Sequence, residues 1–522
     1  MTSSIFSAVI RPFHGMGSTI RNFSTLQDIV FIYCLALIPR LLFVILTGQA
    51  ELSLDEIEYD RIAWYLSEGE GYRWYFGLEC TYRPPVYPAF LAAIYWIAGP
   101  DYYIARIVQT FFIATQSVLT YLIGRELFSR KTSLLAGAVV SLYLTLICFS
   151  VTLMSENLFI SLMLAVVLFF LKLHGGKRFV YVVGAGIFSA LAILCRPSAA
   201  PLILLFLPWF FWRTANRKQA LQQLACFLLI IAVPVTGWIY RNYTVTGEIF
   251  FIDSRSGYNL YIGYNERSPG NFHMDSASDM LFQHIDNTIN AVAPELSTAQ
   301  GHRLFRQELR AYKNRTLHSY DQYDLSKAPG DIWFDRWGKQ KAFEFITEHP
   351  LDALALIPKK FMYFWNLEHR ILLFGYSNGV IGEVPTVPLF LLFLLMLSPW
   401  VLIVTGSVLY LASHPINTRM VILLTPVVYL MVLHSLTFGG ARFHYPIIPI
   451  LALFASATFW QFRIAGGNGL RLLQKPVNRK RLLVAIIAMT IFTFIWSFGM
   501  YESWDKWTAV FGPNGHRRYL GF

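Results

Sequence analysis

Apolar runs of about 20 residues, each closed by Lys, Arg or a turn, recur along almost the whole chain, and few folds accommodate that pattern. A helix rises 1.5 Å per residue, so about 20 apolar residues cross a hydrocarbon core roughly 30 Å thick. Of the 522 residues, 55% are hydrophobic and only 14% charged. That is too little polar character to clothe soluble domains of this total size. The reading is an all-α polytopic membrane protein with about 11 transmembrane helices. The expected spans are 27–47, 104–124, 132–153, 157–173, 179–195, 199–212, 221–240, 387–411, 420–438, 446–462 and 482–500.

The net charge of +12 does not point to nucleic acid, because the basic residues punctuate the apolar runs instead of forming a patch. Putting the N-terminus in the cytoplasm gathers Arg11, Arg21, Arg125, Arg130, Lys131, Lys172, Lys177, Arg178, Arg213, Arg217 and Lys218 on that side. The run from Arg463 to Arg481 joins them, and the opposite turns are nearly free of Lys and Arg. This asymmetry sets orientation and implies a multi-pass protein of the inner (plasma) membrane. Cys34, Cys148, Cys195 and Cys226 lie in apolar runs and Cys80 in a polar loop, so no disulfide framework is expected.

Three segments follow. Residues 1–240 are expected to form an N-terminal transmembrane catalytic module of about seven helices with a first outer loop at 48–103, residues 241–386 a long outer region, and residues 387–522 a C-terminal membrane region of about four helices with an outer tail. In the first loop VYPAFLAAIYWIAG is apolar but short and rich in Tyr and Trp, which favours an interfacial helix. The long outer region reads as mixed, with helical stretches near 300–315 and 335–348, and LDALALIPKKFMYFWN is expected to rest on the membrane surface.

The outer face collects charges. SLDEIEYD follows the first span with Asp55, Glu56, Glu58 and Asp60, and MSENLF places Glu156 in the next outer turn. Arg106 ends the second span, Arg83 lies in TYRPPVYP, Arg196 in CRPSA, and Arg442 and His444 in GGARFHYP. Neighbouring carboxylates supply a general base and an orienting group. Arginines facing them hold a phosphate through charge-assisted hydrogen bonds. A lipid phosphate would put its head at that boundary and its chain in hydrocarbon. Bland readings stand beside this one. Glu58 and Asp60 read as solvated charges, Arg40 and Arg106 as structural ion-pair partners of Asp55 or Glu56, and Arg442 and His444 as helix caps. His273, His284, His302 and His318 match no metal spacing.

These motifs, in this order, resemble the GT-C membrane glycosyltransferases, in the branch of the protein O-mannosyltransferases and the lipid A aminoarabinose transferase. LDEIEY, RPPVYP, MSENLF, LCRPSA, RNYTVTGEIFFIDSRSGYNLYIGYN and ARFHYPIIPIL carry the resemblance across most of the chain. It implies a polyprenyl-phosphate sugar as donor, a glycan, lipid or protein hydroxyl as acceptor, and inverting transfer with no cofactor expected; whether a divalent cation bridges the carboxylates stays open, because other GT-C branches use one. By resemblance Asp55 is the catalytic residue and Glu156 assists it; in the resulting reading Asp55 is the general base, and Glu56 and Glu156 orient it or hold a sugar hydroxyl. Arg83, Arg196 and Arg106 would bind the donor phosphate, and Arg442 and His444 are candidate substrate contacts. The chain lacks the WWDYG signature of oligosaccharyltransferases. The rivals are a transporter, which predicts charges at mid-membrane and two matching halves, and a non-catalytic scaffold, which needs no carboxylate–arginine cluster.

Overall fold

The computed structural model describes residues 11–173, 178–212, 216–271, 274–292, 294, 298–315, 330–369, 373, 376, 384–464 and 479–511. Helices dominate, and among the described residues the only β pairings are isolated bridges at Arg73–Glu79 and Asn271–Gly439. Among the described residues eight helices are long and apolar enough to cross a membrane: Ser24–Thr47, Tyr102–Leu127, Ser155–Lys172, Arg217–Thr246, Thr386–Ser413, Thr418–Leu436, Ala441–Arg463 and Lys480–Glu502.

The other three expected spans are shorter or broken, and local chemistry explains why. Phe179–Cys195 ends where Arg196 precedes Pro197, a step that disfavours helical backbone. Ala199–Trp212 divides before Pro208, whose ring cannot accommodate the helical hydrogen bond. The expected span at 132–153 breaks into Arg130–Ser141 and Leu144–Phe149. Its break coincides with Arg40, which reaches across from the first span to donate to the carbonyls of Ser141 (2.7 Å), Val140 (2.8 Å) and Ala36 (2.9 Å). An intramembrane guanidinium thus satisfies carbonyls at a helix end, and among the described residues Arg40 pairs with no carboxylate.

Burial separates central from peripheral helices. Of the Ala441–Arg463 window 83% is buried, against 11% of Arg217–Thr246. Gly406 lets Thr386–Ser413 approach that central helix, since a Cβ there would sit 2.8 Å from the Ala455 Cβ. Leu228, Leu229, Val233, Leu394, Leu395, Ile486 and Ile487 are exposed on the outer helices, as a hydrocarbon environment requires.

On the loop side, the first-loop helix Leu54–Ser67 has two working faces. Asp55, Glu58 and Tyr59 share one, at i, i+3 and i+4. The other docks the helix Thr298–Lys313: buried Asp60 accepts from Tyr95, Tyr312 and Arg315, and Arg61 pairs with Glu308 at 2.7 Å. The Arg61 guanidinium also lies between the rings of Tyr75 (4.3 Å) and Tyr312 (4.2 Å). Asp60 is therefore a buried anchor and not a solvated charge. The stretch expected as an interfacial helix forms Val86–Ala98, and the helical stretches of the long region form Thr298–Lys313 and Ile332–Glu348. LDALALIPKKFMYFWN forms most of the helix Pro350–Trp365, which packs against Thr418–Leu436 and carries the fully buried Lys360.

Candidate active site

Glu56 explains how the first-loop helix starts. Its carboxylate accepts from the Ser53 amide (2.9 Å), closing the first turn, and from the Leu153 amide (2.8 Å) ahead of the helix Ser155–Lys172. Arg106 completes this brace, donating to Glu56 (3.1 Å) and to the carbonyls of Gly48 (2.7 Å) and Ala50 (2.6 Å). Both groups are buried and committed to backbone or to each other, so their geometry is that of a structural ion pair. Neither the assisting role for Glu56 nor the phosphate role for Arg106 draws support from it.

The brace aims Asp55 at three arginines. Arg83 Nη2 lies 2.7 Å from Asp55 Oδ1, Arg255 Nη2 3.4 Å from the same oxygen, and Arg442 Nη1 3.3 Å from Oδ2. They come from the first loop, the stretch before the helix Ser256–Gly263, and the turn Ala441–Ile447. Arg83 also donates from Nε to Glu58 (2.6 Å) and from Nη1 to the Tyr59 hydroxyl (3.2 Å), with its guanidinium 4.5 Å from the Tyr59 ring. Arg255 lies over Tyr82 (4.9 Å) and Tyr258 (5.2 Å). Beside them Arg196 pairs with Glu156 at 2.8 Å and donates to Ser155 Oγ (3.2 Å), which in turn accepts from Tyr59 (3.1 Å).

Charge sets the protonation. Burial pushes the Asp55 carboxyl up, but Arg83 and Arg442 outweigh it and hold it at about 2. Burial wins at Glu58, which rises to about 7 despite Arg83. Asp253, beside this cluster, is likewise pushed up by burial to about 7, with Arg83 and Arg196 opposing and Asp335 reinforcing the rise. Two carboxyls near neutral and four arginines leave the cluster short of negative charge, as a phosphate site requires.

The sequence-based candidates thus divide. Asp55, Glu156, Arg83, Arg196 and Arg442 come together in one cluster. Glu56 and Arg106 stand beside it as its brace. His444 does not join it: fully buried, it stacks on Trp400 at 3.9 Å, donates from Nδ1 to the Phe364 carbonyl (2.5 Å) and faces Glu368 with Nε2 (2.9 Å). Glu368 also accepts from Tyr143 and Thr145, so His444 belongs to a core network. Arg255, Asp253, Glu58 and Tyr59 were not singled out as functional from sequence, although the motifs LDEIEY and FFIDSRSGYN contain them. Among the described residues no three His, Cys, Asp or Glu side chains gather as a metal-holding group, and His273 and His318 lie outside the described residues.

The family model of the dolichyl-phosphate-mannose-protein mannosyltransferases matches residues 82–238. That stretch carries Arg83, Arg106, Glu156 and Arg196, and there the match bears out the resemblance to the GT-C glycosyltransferases. Among solved structures the chain is similar to the archaeal oligosaccharyltransferase AglB from Archaeoglobus fulgidus, in complex with an inhibitory peptide and a dolichol-phosphate. The identity is 14% and the TM-score 0.46, over 94% of this chain and 56% of that one. It is also similar to ArnT from Cupriavidus metallidurans bound to undecaprenyl phosphate, at 12% identity and a TM-score of 0.37, over 82% of this chain and 77% of that one. Likenesses this distant carry no functional argument, and the chain spans little more than half the length of the oligosaccharyltransferase. No curated protein matches its sequence.

Proposed function

We propose that this protein transfers a sugar from a polyprenyl-phosphate donor to a hydroxyl of a glycan, lipid or protein, with inversion, on the outer face of the inner membrane. The observation that carries the reading is the convergence of Arg83, Arg255 and Arg442 on the one carboxylate of Asp55, with Arg196 alongside. A phosphate entering there exchanges carboxylate contacts for its own, through guanidinium forks suited to it. When the sugar departs, the same guanidiniums stabilise the charge left on the phosphate. The family match over 82–238 supports the donor class. The site draws on all three segments of the chain, so catalysis is not confined to residues 1–240.

Asp55 is the general base of this reading. In the free protein burial raises its carboxyl but Arg83 and Arg442 hold it down at about 2, and a phosphate that takes those guanidiniums frees it to accept the acceptor's proton. Asp55 is also the tether that holds three guanidiniums in register for the phosphate.

The test is turnover by the purified protein in detergent, offered a set of undecaprenyl-phosphate monosaccharides. Consumption of one donor with release of undecaprenyl phosphate is expected. If no donor is consumed, while reconstituted vesicles move one across the bilayer, the protein is a transporter.

The outer-face placement has a separate test. Cys80 is fully buried and cannot report it, but Glu70 is exposed in the same loop. A Glu70→Cys chain with its native cysteines replaced by serine is expected to react with an impermeant thiol reagent in intact cells. Labelling only after permeabilisation would put the site on the cytoplasmic face.

A further inference from the structure

We infer that the acceptor is a glycan and that Trp333 and Trp337 seat its sugar rings beside the arginine cluster; this rests on the function proposed above. Both tryptophans belong to the helix Ile332–Glu348. The buried side of that helix, with Phe334, Asp335, Gly338 and Ala342, packs onto the helix Ser256–Gly263. Asp335 accepts there from the Gly257 amide (2.8 Å). Gly338 keeps the crossing close, since a Cβ on it would stand 2.5 Å from the Gly257 carbonyl carbon. Arg255, which reaches Asp55, immediately precedes Ser256–Gly263, so Ile332–Glu348 is held in place against the cluster.

The other side of Ile332–Glu348 mixes rings with polar groups. Trp333, Trp337, Gln340, Lys341 and Glu344 fall at i, i+4, i+7, i+8 and i+11, which is one face of a helix. The two indoles are half-buried and stack at 5.5 Å, and Tyr261 meets Trp337 edge to face at 4.8 Å. Beyond them Glu344 accepts from Gln340 (2.8 Å) and Lys341 (2.7 Å). Past the polar row opens a cleft of about 340 Å³, lined by Asn265, Glu266, Phe345, His349, Asp352 and Lys359. Asn265 ties it to the aromatic row by donating to the Tyr261 carbonyl (2.7 Å). At the opposite end, ring contacts lead to the arginines. Trp333 meets Phe334 (5.7 Å), and Phe334 meets Tyr82 (5.0 Å) and Tyr258 (6.4 Å), the two rings beside the Arg255 guanidinium.

The chemistry of this face selects among acceptors. A sugar ring offers an apolar C–H face to an indole and a rim of hydroxyls to amide, carboxylate and ammonium groups, and this helix presents both in one row. A lipid tail laid there would bury Gln340, Lys341 and Glu344 without replacing their water. An extended peptide gains most by adding a strand to a sheet edge, and among the described residues the β pairings are only isolated bridges. A glycan lying along the row, from the cleft to Trp333, directs its end towards Asp55.

The test uses the full-length protein in a detergent without a sugar head group, with the donor it consumes. Three classes of acceptor are offered: soluble oligosaccharides of glucose, galactose, mannose and N-acetylglucosamine, a serine-containing peptide, and diacylglycerol. Transfer to an oligosaccharide is expected. Trp337→Ala is expected to raise the KM for that oligosaccharide about tenfold or more, the loss that truncating a binding tryptophan commonly brings, with kcat and donor KM near wild type. Trp337→Phe keeps a ring and is expected to lose less. Glu344→Ala leaves the buried side of the helix untouched and is expected to raise the same KM severalfold. An oligosaccharide KM unchanged in Trp333→Ala, Trp337→Ala and Glu344→Ala would overturn the inference. So would an equal loss of donor and acceptor use in all three, which marks a structural role. Transfer to the peptide or diacylglycerol alone, or donor hydrolysis with transfer to none of the three classes, overturns it while leaving the donor reading standing. A wild-type protein that consumes no donor overturns both.

Discussion

Arg83→Ala is expected to be the most damaging single change in the site, lowering kcat/KM for the lipid-phosphate donor by roughly 10²–10⁴, the worth of two charge-assisted hydrogen bonds at about 1.5–3 kcal/mol each. In the free protein that guanidinium lies against Asp55 at 2.7 Å and Glu58 at 2.6 Å, and it is almost wholly buried. Removing it also leaves two buried carboxylates without their shared cation, a loss that commonly costs about 3–5 kcal/mol of stability. The two losses separate in a double mutant. Arg83→Ala with Glu58→Gln relieves the repulsion, so its Tm is expected to recover towards wild type while donor turnover stays low. Arg83→Lys keeps the charge but loses the planar fork, and an intermediate kcat/KM is expected. Wild-type kcat/KM in a well-folded Arg83→Ala protein would mean that Arg83 only braces the first loop.

The contrast between Arg83 and Arg106 marks what a sequence of this kind can reveal. Both are arginines at the loop ends of apolar runs, and hydropathy places both there. Only the fold discloses that Arg106 spends its donors on the carbonyls of Gly48 and Ala50, where the chain leaves the first span. Arg40 repeats the lesson, because its partners are the carbonyls of a helix end that the apolar run 132–153 hides. His444 lies two residues from Arg442, yet the turn Ala441–Ile447 sends one to Asp55 and the other into the core against Trp400. Charge patterning reports which end of a helix a residue occupies, but not the direction in which a tight turn points it. Arg255 was hidden for another reason. It lies 200 residues from Asp55 in sequence, and their contact exists only because Thr81 and Ser254 join the first loop to the chain leaving the seventh expected span.

Asp55→Asn removes the proposed base and, with it, the tether of the arginine cluster. The substitution keeps the size of the side chain but removes the charge that holds Arg83, Arg255 and Arg442 together. Its amide group also turns a donor towards guanidiniums that themselves only donate. Three like charges then spread apart, and the phosphate meets a disordered cradle. The expected result is a folded protein whose donor kcat/KM falls by roughly 10²–10³, the worth of one to two charge-assisted contacts. Glu58→Gln supplies the comparison within the same helix. Burial holds Glu58 at about 7 and it touches only Arg83, so near neutral pH an amide already mimics its protonated half. Its effect is expected to be small at pH 6.5 and to grow as pH rises and wild-type Glu58 ionises. Should Asp55→Asn match wild type in every measurement, the three-arginine cradle is not where the donor phosphate binds.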